Sequence, residues 1–565
     1  MLNKIIRFHL PLLAVLTPLF FLPITPDFFR YNKIYLIYAI ATSALIFSGL
    51  KIIKEKKLTL NLSATSTSLL ILSILFILSS IIQSPIKYVS LTGQTALFIS
   101  FFIIFLTVTS TISSPEEGKN ILKQIIYYLS SGFFIASVIK IVSYLGLFQA
   151  TGISWANNKV FDTTGGPISF LGFALPLLPL FIYLGLKSKS KVVKILLLLS
   201  SATGIAAIIV ALVPVIAQIK TSPIPILPFS AGWAIAVDTF KNIRTGLLGT
   251  GPNTYLYAFT RLRPVSLNLT ELWNIRFSNS SSFILTFLTT VGLPATLAFV
   301  FGILKPLYEI KKSTSRKNLS EKTIFLGLLL HFILLFLIPE NITILTNTFI
   351  FLTLAVIILP NRNKTFNMEE KPIVLPILLV MPALVLASFF WLSASQSYAA
   401  SFYTHKALGL INTNAIESYN YQAKAYRLDP YNTTYRINFS QTSLALASTL
   451  AGKENPSDQD KKDINQLIQQ SIREANNATQ INPADIIAWE NLAQIYRQLI
   501  NYADGARDWS IASYLQAERL DPTNPQLKLE IGGLFLSIND PQEAIKLFSR
   551  AVEIKPNWAN ACGRT

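Results

Sequence analysis

As far as about residue 395 the chain alternates long apolar runs with short polar interruptions, and then the pattern changes. Eleven runs lie near residues 8–26, 34–53, 64–83, 92–112, 122–146, 167–186, 194–217, 281–304, 323–339, 343–360 and 373–395. Each matches the roughly 20 residues a helix needs to cross a bilayer. Hydrocarbon offers the backbone no hydrogen-bond partner, so such runs predict helices that satisfy their own N–H and C=O groups. The largest interruption, residues 219–280, is polar and cationic. It contains GLLGTGPNTYLYAFTRLRP and then LWNIRFSNSSS, where the next apolar run begins, and Arg261, Arg263 and Arg276 stand close together in it.

Beyond Gln396 the apolar runs stop and Asn, Gln, Asp and Ala rise. Four similar segments follow, AKAYRLDPYN, NNATQINPAD, LQAERLDPTN and SRAVEIKPNW, and their prolines, Pro430, Pro483, Pro522 and Pro556, are spaced 53, 39 and 34 residues apart. The last spacing is the tetratricopeptide period. Ile531, Gly532, Phe535, Ala544, Phe548, Ala551 and Pro556 occupy the small and large packing positions of such a helix pair. Small residues let two helices approach, large ones fill the gap, and proline ends the second helix. Trp489, Leu492, Ala493 and Tyr496 form a one-face stripe in the preceding unit. The first two units carry insertions, and residues 454–463 read as a polar loop. The sequence ends a few residues after Ala559, Asn560 and Ala561, where another first helix is expected to begin, which suggests a truncated array. The expectation is therefore all-α: a polytopic membrane bundle over residues 1–395, then a tetratricopeptide solenoid over residues 396–565. Such arrays bind protein partners on a concave face.

Of 565 residues, 51% are hydrophobic and 14% charged, with mean hydropathy +0.47, a deficit of charge that fits a membrane protein. The net charge of +19 is not a nucleic-acid footprint, because it clusters in alternate short loops. One cluster is Lys51, Lys54, Lys56 and Lys57; a second is Lys187, Lys189, Lys191 and Lys194; a third is Lys305, Lys311, Lys312, Arg316, Lys317 and Lys322. The intervening loops carry chiefly Arg30, Lys33, Lys87 and Lys159. Threading eleven spans puts every cluster on one side, the positive-inside pattern. The N-terminus is then cytoplasmic, while the 219–280 loop and the repeats are extracytoplasmic. The first run follows Lys4 and Arg7 without a small-residue cleavage site, and reads as a retained anchor.

Familiar soluble catalytic signatures are missing: there is no phosphate-cradling glycine loop with lysine, no HExxH and no GxSxG. With only His9, His331, His405 and the single Cys562, neither a histidine nor a cysteine metal cluster is available, and no cofactor is expected. His331, in mid-run, reads as a neutral ring bonded to a carbonyl, and Lys140 as a chain reaching for the interface. The loop is the remaining place for chemistry. It holds Lys220, Lys241, Arg244, Arg261, Arg263 and Arg276 against Asp238 and Glu271. A guanidinium fork makes paired, charge-assisted bonds to phosphate, and fixed cations stabilise a departing pyrophosphate more than its bound precursor. Holding lipid head groups or folding the loop is the alternative use of these arginines. Residues 233–240 read as a short amphipathic helix at the interface. Gly246, Gly249 and Gly251 with Pro252 form a tight turn.

The stretch WAIAVDTFKNIRTGLLGTGPNTYLYAFTRLRP, followed by FILTFLTTVGLPA, resembles the O-antigen ligase and polymerase family. The matching positions are Trp233, Leu248-Gly249-Thr250-Gly251, Arg261 and Arg263, Ser280, Ser281 and Ser282, and Gly292-Leu293-Pro294, with Gly166-Pro167 in an earlier outer segment. The resemblance covers roughly residues 1–395. Relatives with carboxy-terminal repeats include protein O-oligosaccharyltransferases. It implies a GT-C-like, all-helical bacterial membrane enzyme, without a metal, that moves a glycan from undecaprenyl pyrophosphate to a lipid or protein acceptor. Taken with the loop's own residues, the candidate catalytic residues are Arg261, Arg263 and Arg276, and the candidate substrate contacts Lys241, Arg244, Gly249, Gly251, Pro252, Trp273 and Ser281. One departure matters. Family members commonly have His-Asn where this chain has Ser281-Ser282, and a serine cannot act as the base an imidazole would be. Asp238, Glu271 and Asp162 are the candidate bases. Three readings follow: a ligase or oligosaccharyltransferase, a polysaccharide polymerase, and a non-catalytic scaffold or lipid-glycan carrier.

Overall fold

The computed structural model describes residues 1–221, 224–312, 319–360 and 362–558. Arg316, Lys317, Cys562 and residues 559–561 lie outside the described residues, as does the side chain of Lys220. The amino-terminal part is a helical bundle: α1 (Leu2–Leu19), α2 (Arg30–Glu55), α3 (Ala64–Ile82), α4 (Lys87–Ser90), α5 (Ala96–Thr109), α6 (Pro115–Tyr144), α7 (Pro167–Lys187) and α8 (Lys191–Thr221). A loop with three short helices follows, α9 (Phe229–Thr239), α10 (Ile243–Leu248) and α11 (Tyr255–Leu262). Then come α12 (Phe283–Lys312), α13 (Leu319–Leu337), α14 (Ile342–Ile358) and α15 (Val374–Leu410). Among the described residues nine helical stretches are long and apolar enough to cross a membrane, and α14 is a shorter apolar helix.

Helix α14 explains how the bundle closes. Its residues from Ile342 to Ile357 are all buried, so it is the central helix, and Asn341 caps it by accepting from the Thr343 and Ile344 N–H groups. The hydroxyls of Thr346, Thr348 and Thr353 bond back to carbonyls four residues earlier, which lets polar side chains sit in the core. Around it, Phe76, Phe98, Phe101, Phe287, Phe299 and Phe349 pack ring on ring, Phe101 and Phe349 stacking at 4.3 Å.

The polar connections gather at two ends. At one end the segments after α2 and after α14 pair as a two-stranded antiparallel ribbon, β1 (Lys57–Asn61) with β2 (Asn363–Asn367). An all-α reading did not anticipate this ribbon. At the other end the 83–95 and 145–166 segments, the long loop and the short α13–α14 turn meet; the Phe283 N–H, for example, donates to the Ile338 carbonyl (2.8 Å).

Lys140 does not reach for an interface. It is fully buried, with its ammonium 2.9 Å from the Val160 carbonyl and 3.7 Å from Asp162. His331 is buried too, its Nδ1 2.8 Å from the Gly327 carbonyl and its ring stacked on Phe351.

The boundary expected at residue 395 falls inside α15, a 37-residue helix whose second half already pairs with α16 (Ala415–Leu428). Three more antiparallel pairs follow: α17 (Thr433–Ala451) with α18 (Asp458–Ile481), α19 (Ile486–Gln498) with α20 (Ala506–Leu520), and α21 (Pro525–Ser537) with α22 (Pro541–Ile554). The 53-residue spacing arises because α17 and α18 are long. Of the expected 454–463 loop, the residues from Asp458 on belong to α18, which is started by a Ser457–Asp460 capping box. In the last pair Phe548 lies against Gly532, where a Cβ would come within 2.4 Å of the ring. This is a tetratricopeptide-like helical domain.

Candidate functional site

The long loop has its own small core, in which Leu227, Ile235, Tyr255, Phe259, Leu267 and Phe277 are buried together. Helix α9 gives Ile235 and Ala236 to the loop's interior and turns Phe229, Trp233 and Val237, four residues apart, outward. Phe240, Ile243 and Leu247 continue that exposed ridge. Lys241 and Arg244 are exposed beside it; the Asp238 carboxylate is bound to the Lys241 ammonium (2.8 Å).

The glycine turn is seated on α12 for a reason visible in the backbone. Gly292 breaks the helix with φ +81°, and Pro294 has no N–H to offer the Thr290 carbonyl. Thr250 and Gly251 supply the missing donors, to Thr289 O (3.0 Å) and Thr290 O (2.9 Å). Ser79 of α3 completes the seat by donating to the Leu248 carbonyl (2.6 Å). Gly249 has φ +70°, and a Cβ there would lie 2.2 Å from the Thr290 carbonyl; Gly251 has φ +109° and backs onto Ser84. The Pro252 carbonyl accepts from Ser90 (2.6 Å).

The turn then leads to a carboxylate not anticipated from the sequence. The Asn253 N–H donates to Gln94 Oε1 (3.4 Å), and Gln94 Nε2 donates to Glu340 Oε2 (3.2 Å). The other Glu340 oxygen takes the Arg30 guanidinium at 2.8 Å. The Glu340 side chain is 3% exposed, whereas that of Arg30 is 45% exposed. An acidic residue in the shortest connection between two apolar runs was the signal available for Glu340.

The other predicted bases are placed differently. Asp162 is spent on its own turn, one oxygen accepting from the Thr164, Gly165 and Gly166 N–H groups. Glu271 is exposed. Ser281 is buried, its hydroxyl within 2.8 Å of where a Cβ on Gly232 would stand.

The three arginines do not share one environment. Arg261 is exposed and has no ion-pair partner among the described residues. Arg263 is buried and reaches into the repeats, with Asp521 at 3.2 Å, the Thr523 carbonyl at 3.1 Å and the loop's own Trp273 carbonyl at 2.9 Å. Arg276 forms a forked pair with Glu490 at 2.7 and 2.6 Å and has Asp521 at 3.6 Å. Burial pushes the Asp521 carboxyl up, against the two guanidinium groups that pull it down. Burial also lowers Arg276, but the Glu490 carboxylate outweighs it and the net shift is upward.

These contacts recur in register. The residue before each repeat proline is buried, and three of the four dock on the loop. Asn482 donates to the Tyr257 hydroxyl (2.7 Å), Asp521 meets Arg263, and Lys555 donates to the Asn268 carbonyl (2.8 Å) while lying over the Trp273 ring. Trp273 packs against Trp558. Nine of the candidates thus fall into three groups: Lys241, Arg244 and Asp238 on the α9–α10 ridge; Gly249, Gly251 and Pro252 on the bundle; and Arg263, Arg276 and Trp273 under the repeats.

No family model matches the chain, and no curated protein is a detectable relative. Solved structures that it resembles are repeat proteins. They include TTC0263, a thermophilic TPR protein of Thermus thermophilus, at 18% identity, with 35% of this chain and 96% of that chain covered and a TM-score of 0.24. YrrB, a TPR protein described as having an unusual peptide-binding site, is 15% identical, with 34% and 86% covered and a TM-score of 0.23. MamA is 15% identical, with 33% and 94% covered and a TM-score of 0.23. At such scores these likenesses add no weight. The repeat character of residues 396–558 stands on its own helix pairing and spacing.

Proposed function

We propose that the chain is a bacterial cytoplasmic-membrane glycosyltransferase that moves a glycan from undecaprenyl pyrophosphate to a lipid or protein acceptor, with eleven spans and an extracytoplasmic repeat domain. The observation that carries this reading is the ion-paired Glu340 carboxylate held by Arg30 and Gln94 against the glycine turn. It gives the loop what the missing histidine denies it, a base at the mouth of the bundle.

The acceptor hydroxyl attacks the anomeric carbon, and the bond from that carbon to the pyrophosphate oxygen breaks. The hydroxyl proton passes to Glu340, and the pyrophosphate leaves with its added negative charge. Arg30, half exposed, and Arg261, exposed and without an ion-pair partner among the described residues, are the cations that meet that charge. The repeats stand on the same face and present the acceptor or a protein partner. The second reading, a non-catalytic scaffold, is favoured by one observation: Arg263 and Arg276 are already neutralised by Asp521 and Glu490.

The test uses full-length protein in liposomes with a labelled undecaprenyl-pyrophosphate glycan and extracted envelope acceptors. Label on an acceptor together with released undecaprenyl pyrophosphate is the expected result, and a product ladder would identify a polymerase. Donor binding without transfer to any acceptor would favour the scaffold and overturn the transferase.

A further inference from the structure

A second site lies where the first repeat turn meets the bundle. A cavity of about 400 Å³ opens between the α16–α17 turn, the first turn of α17 and the last turns of α18. It is lined by Pro430, Tyr431, Arg436, Asn477, Gln480 and Ile481, and its volume falls at the lower end of the roughly 300–1,000 Å³ usual for small-ligand sites. Its place follows from the docking of the repeats. Ile481 precedes Asn482, which is bonded to the Tyr257 hydroxyl of the loop, and the Tyr431 ring lies 5.7 Å from the Tyr88 ring of α4. The residue after Tyr88, Val89, accepts from the Asn253 side chain (3.4 Å) beside the glycine turn. The cavity is thus flanked by the loop and by the 83–95 segment, whose Asn253 and Gln94 lead to Glu340.

One lining group is already committed. Arg436 Nε donates to the Pro430 carbonyl (2.9 Å) and Nη1 to the Glu474 carboxylate, while the guanidinium lies 5.5 Å from the Tyr426 ring centroid. Glu474 is 3% exposed, so this arginine is a neutralised wall that ties α17 to the turn and to α18. The other polar groups are unspent. Tyr431 is 58% exposed, and among the described residues its hydroxyl has no hydrogen-bond partner. Asn477 and Gln480 stand three residues apart on one face of α18, and among the described residues neither amide is hydrogen-bonded.

We infer that this cavity holds a neutral hexopyranose unit of a glycan, stacked on Tyr431 and hydrogen-bonded by Asn477 and Gln480. The inference rests on the glycosyltransferase reading for the presence of a glycan, and deepens it by naming a sugar subsite. Three features fix the ligand class. A pyranose presents a face of C–H bonds, which packs on the electron-rich face of an aromatic ring. Its hydroxyls both donate and accept, and a primary amide offers two N–H donors and a carbonyl acceptor in one side chain. The only charged lining group, Arg436, is paired with Glu474, so a phosphate or uronate buried here would meet no free cation. The cavity belongs to the repeats and not to the Glu340 cluster. The sugar it takes is therefore a unit removed from the reacting one, and its contacts select the glycan by composition.

The experiment titrates detergent-purified full-length protein with free trisaccharides of glucose, galactose, mannose or N-acetylglucosamine, read by saturation-transfer NMR. At least one is expected to bind, and trigalacturonate, of the same size but anionic, to bind more weakly than that one. Tyr431→Phe, which keeps the ring, should bind as wild type. Tyr431→Ala, and Asn477→Ala combined with Gln480→Ala, should each weaken binding about 5-fold or more, the effect of one lost neutral hydrogen bond. Their unfolding temperatures should stay within a few degrees of wild type, because these side chains face the cavity and not a core. Binding of none of the four sugars, equal binding of trigalacturonate, or unchanged binding in either alanine variant would overturn the site. Retention of undecaprenyl-pyrophosphate glycan by Tyr431→Ala tells the source apart: a matching loss assigns the sugar to the donor, and unchanged retention to the acceptor. None of these readouts involves glycan transfer. A failure here leaves the liposome transfer result standing, and a failure of transfer leaves the sugar binding standing.

Discussion

A few residues decide how the loop meets the bundle, and Gly249 is the clearest. Its φ of +70° is a conformation L side chains rarely adopt, and its Cβ position is filled by the Thr290 backbone. Gly249→Ala should lower stability by about 1–3 kcal/mol through the glycine-only backbone conformation alone, with the backbone clash adding to that. It should also expose the loop to limited proteolysis; an unchanged digestion pattern and melting temperature would contradict the seating described here. The sequence already held both halves of this contact, Leu248-Gly249-Thr250-Gly251 and Gly292-Leu293-Pro294. It did not show that they bond to each other, because that requires knowing which carbonyls the Gly292–Pro294 break sets free. Glu340 escaped notice for a similar reason: its partners Arg30 and Gln94 lie 310 and 246 residues away.

Among elements, the apolar runs were legible as helices because their length and composition leave little freedom. Their ends were less so. The polar residues that begin the first repeat continue the last apolar helix without a break, and a boundary drawn on composition cuts α15 in two. The repeat prolines marked the helix pairs correctly, whereas the docking of three repeat turns on the loop could not be read from their period. This docking makes loop and repeats one structural unit and gives Arg263 and Arg276 carboxylate partners. A double-mutant cycle on Arg276→Gln and Glu490→Gln should yield a coupling of about 1–2 kcal/mol in thermal unfolding, as expected for a forked, partly buried pair. Additive effects would show that the repeats do not hold the loop through this bond.

For the molecule as a whole, the alternation of connections between two ends places the glycine turn, Arg30, Glu340 and the repeats together, and the basic clusters and the β ribbon away from them. The charge pattern had already grouped the same basic clusters on one side. The central claim is that a carboxylate at the loop-bearing mouth of the bundle does the base chemistry. It is tested most directly with Glu340→Gln, which keeps size and hydrogen-bonding capacity while removing the base. Turnover and donor binding are measured side by side in the same liposomes. The account predicts turnover reduced by about 10²-fold or more with donor affinity within a few-fold of wild type. Turnover unchanged in Glu340→Gln would contradict it.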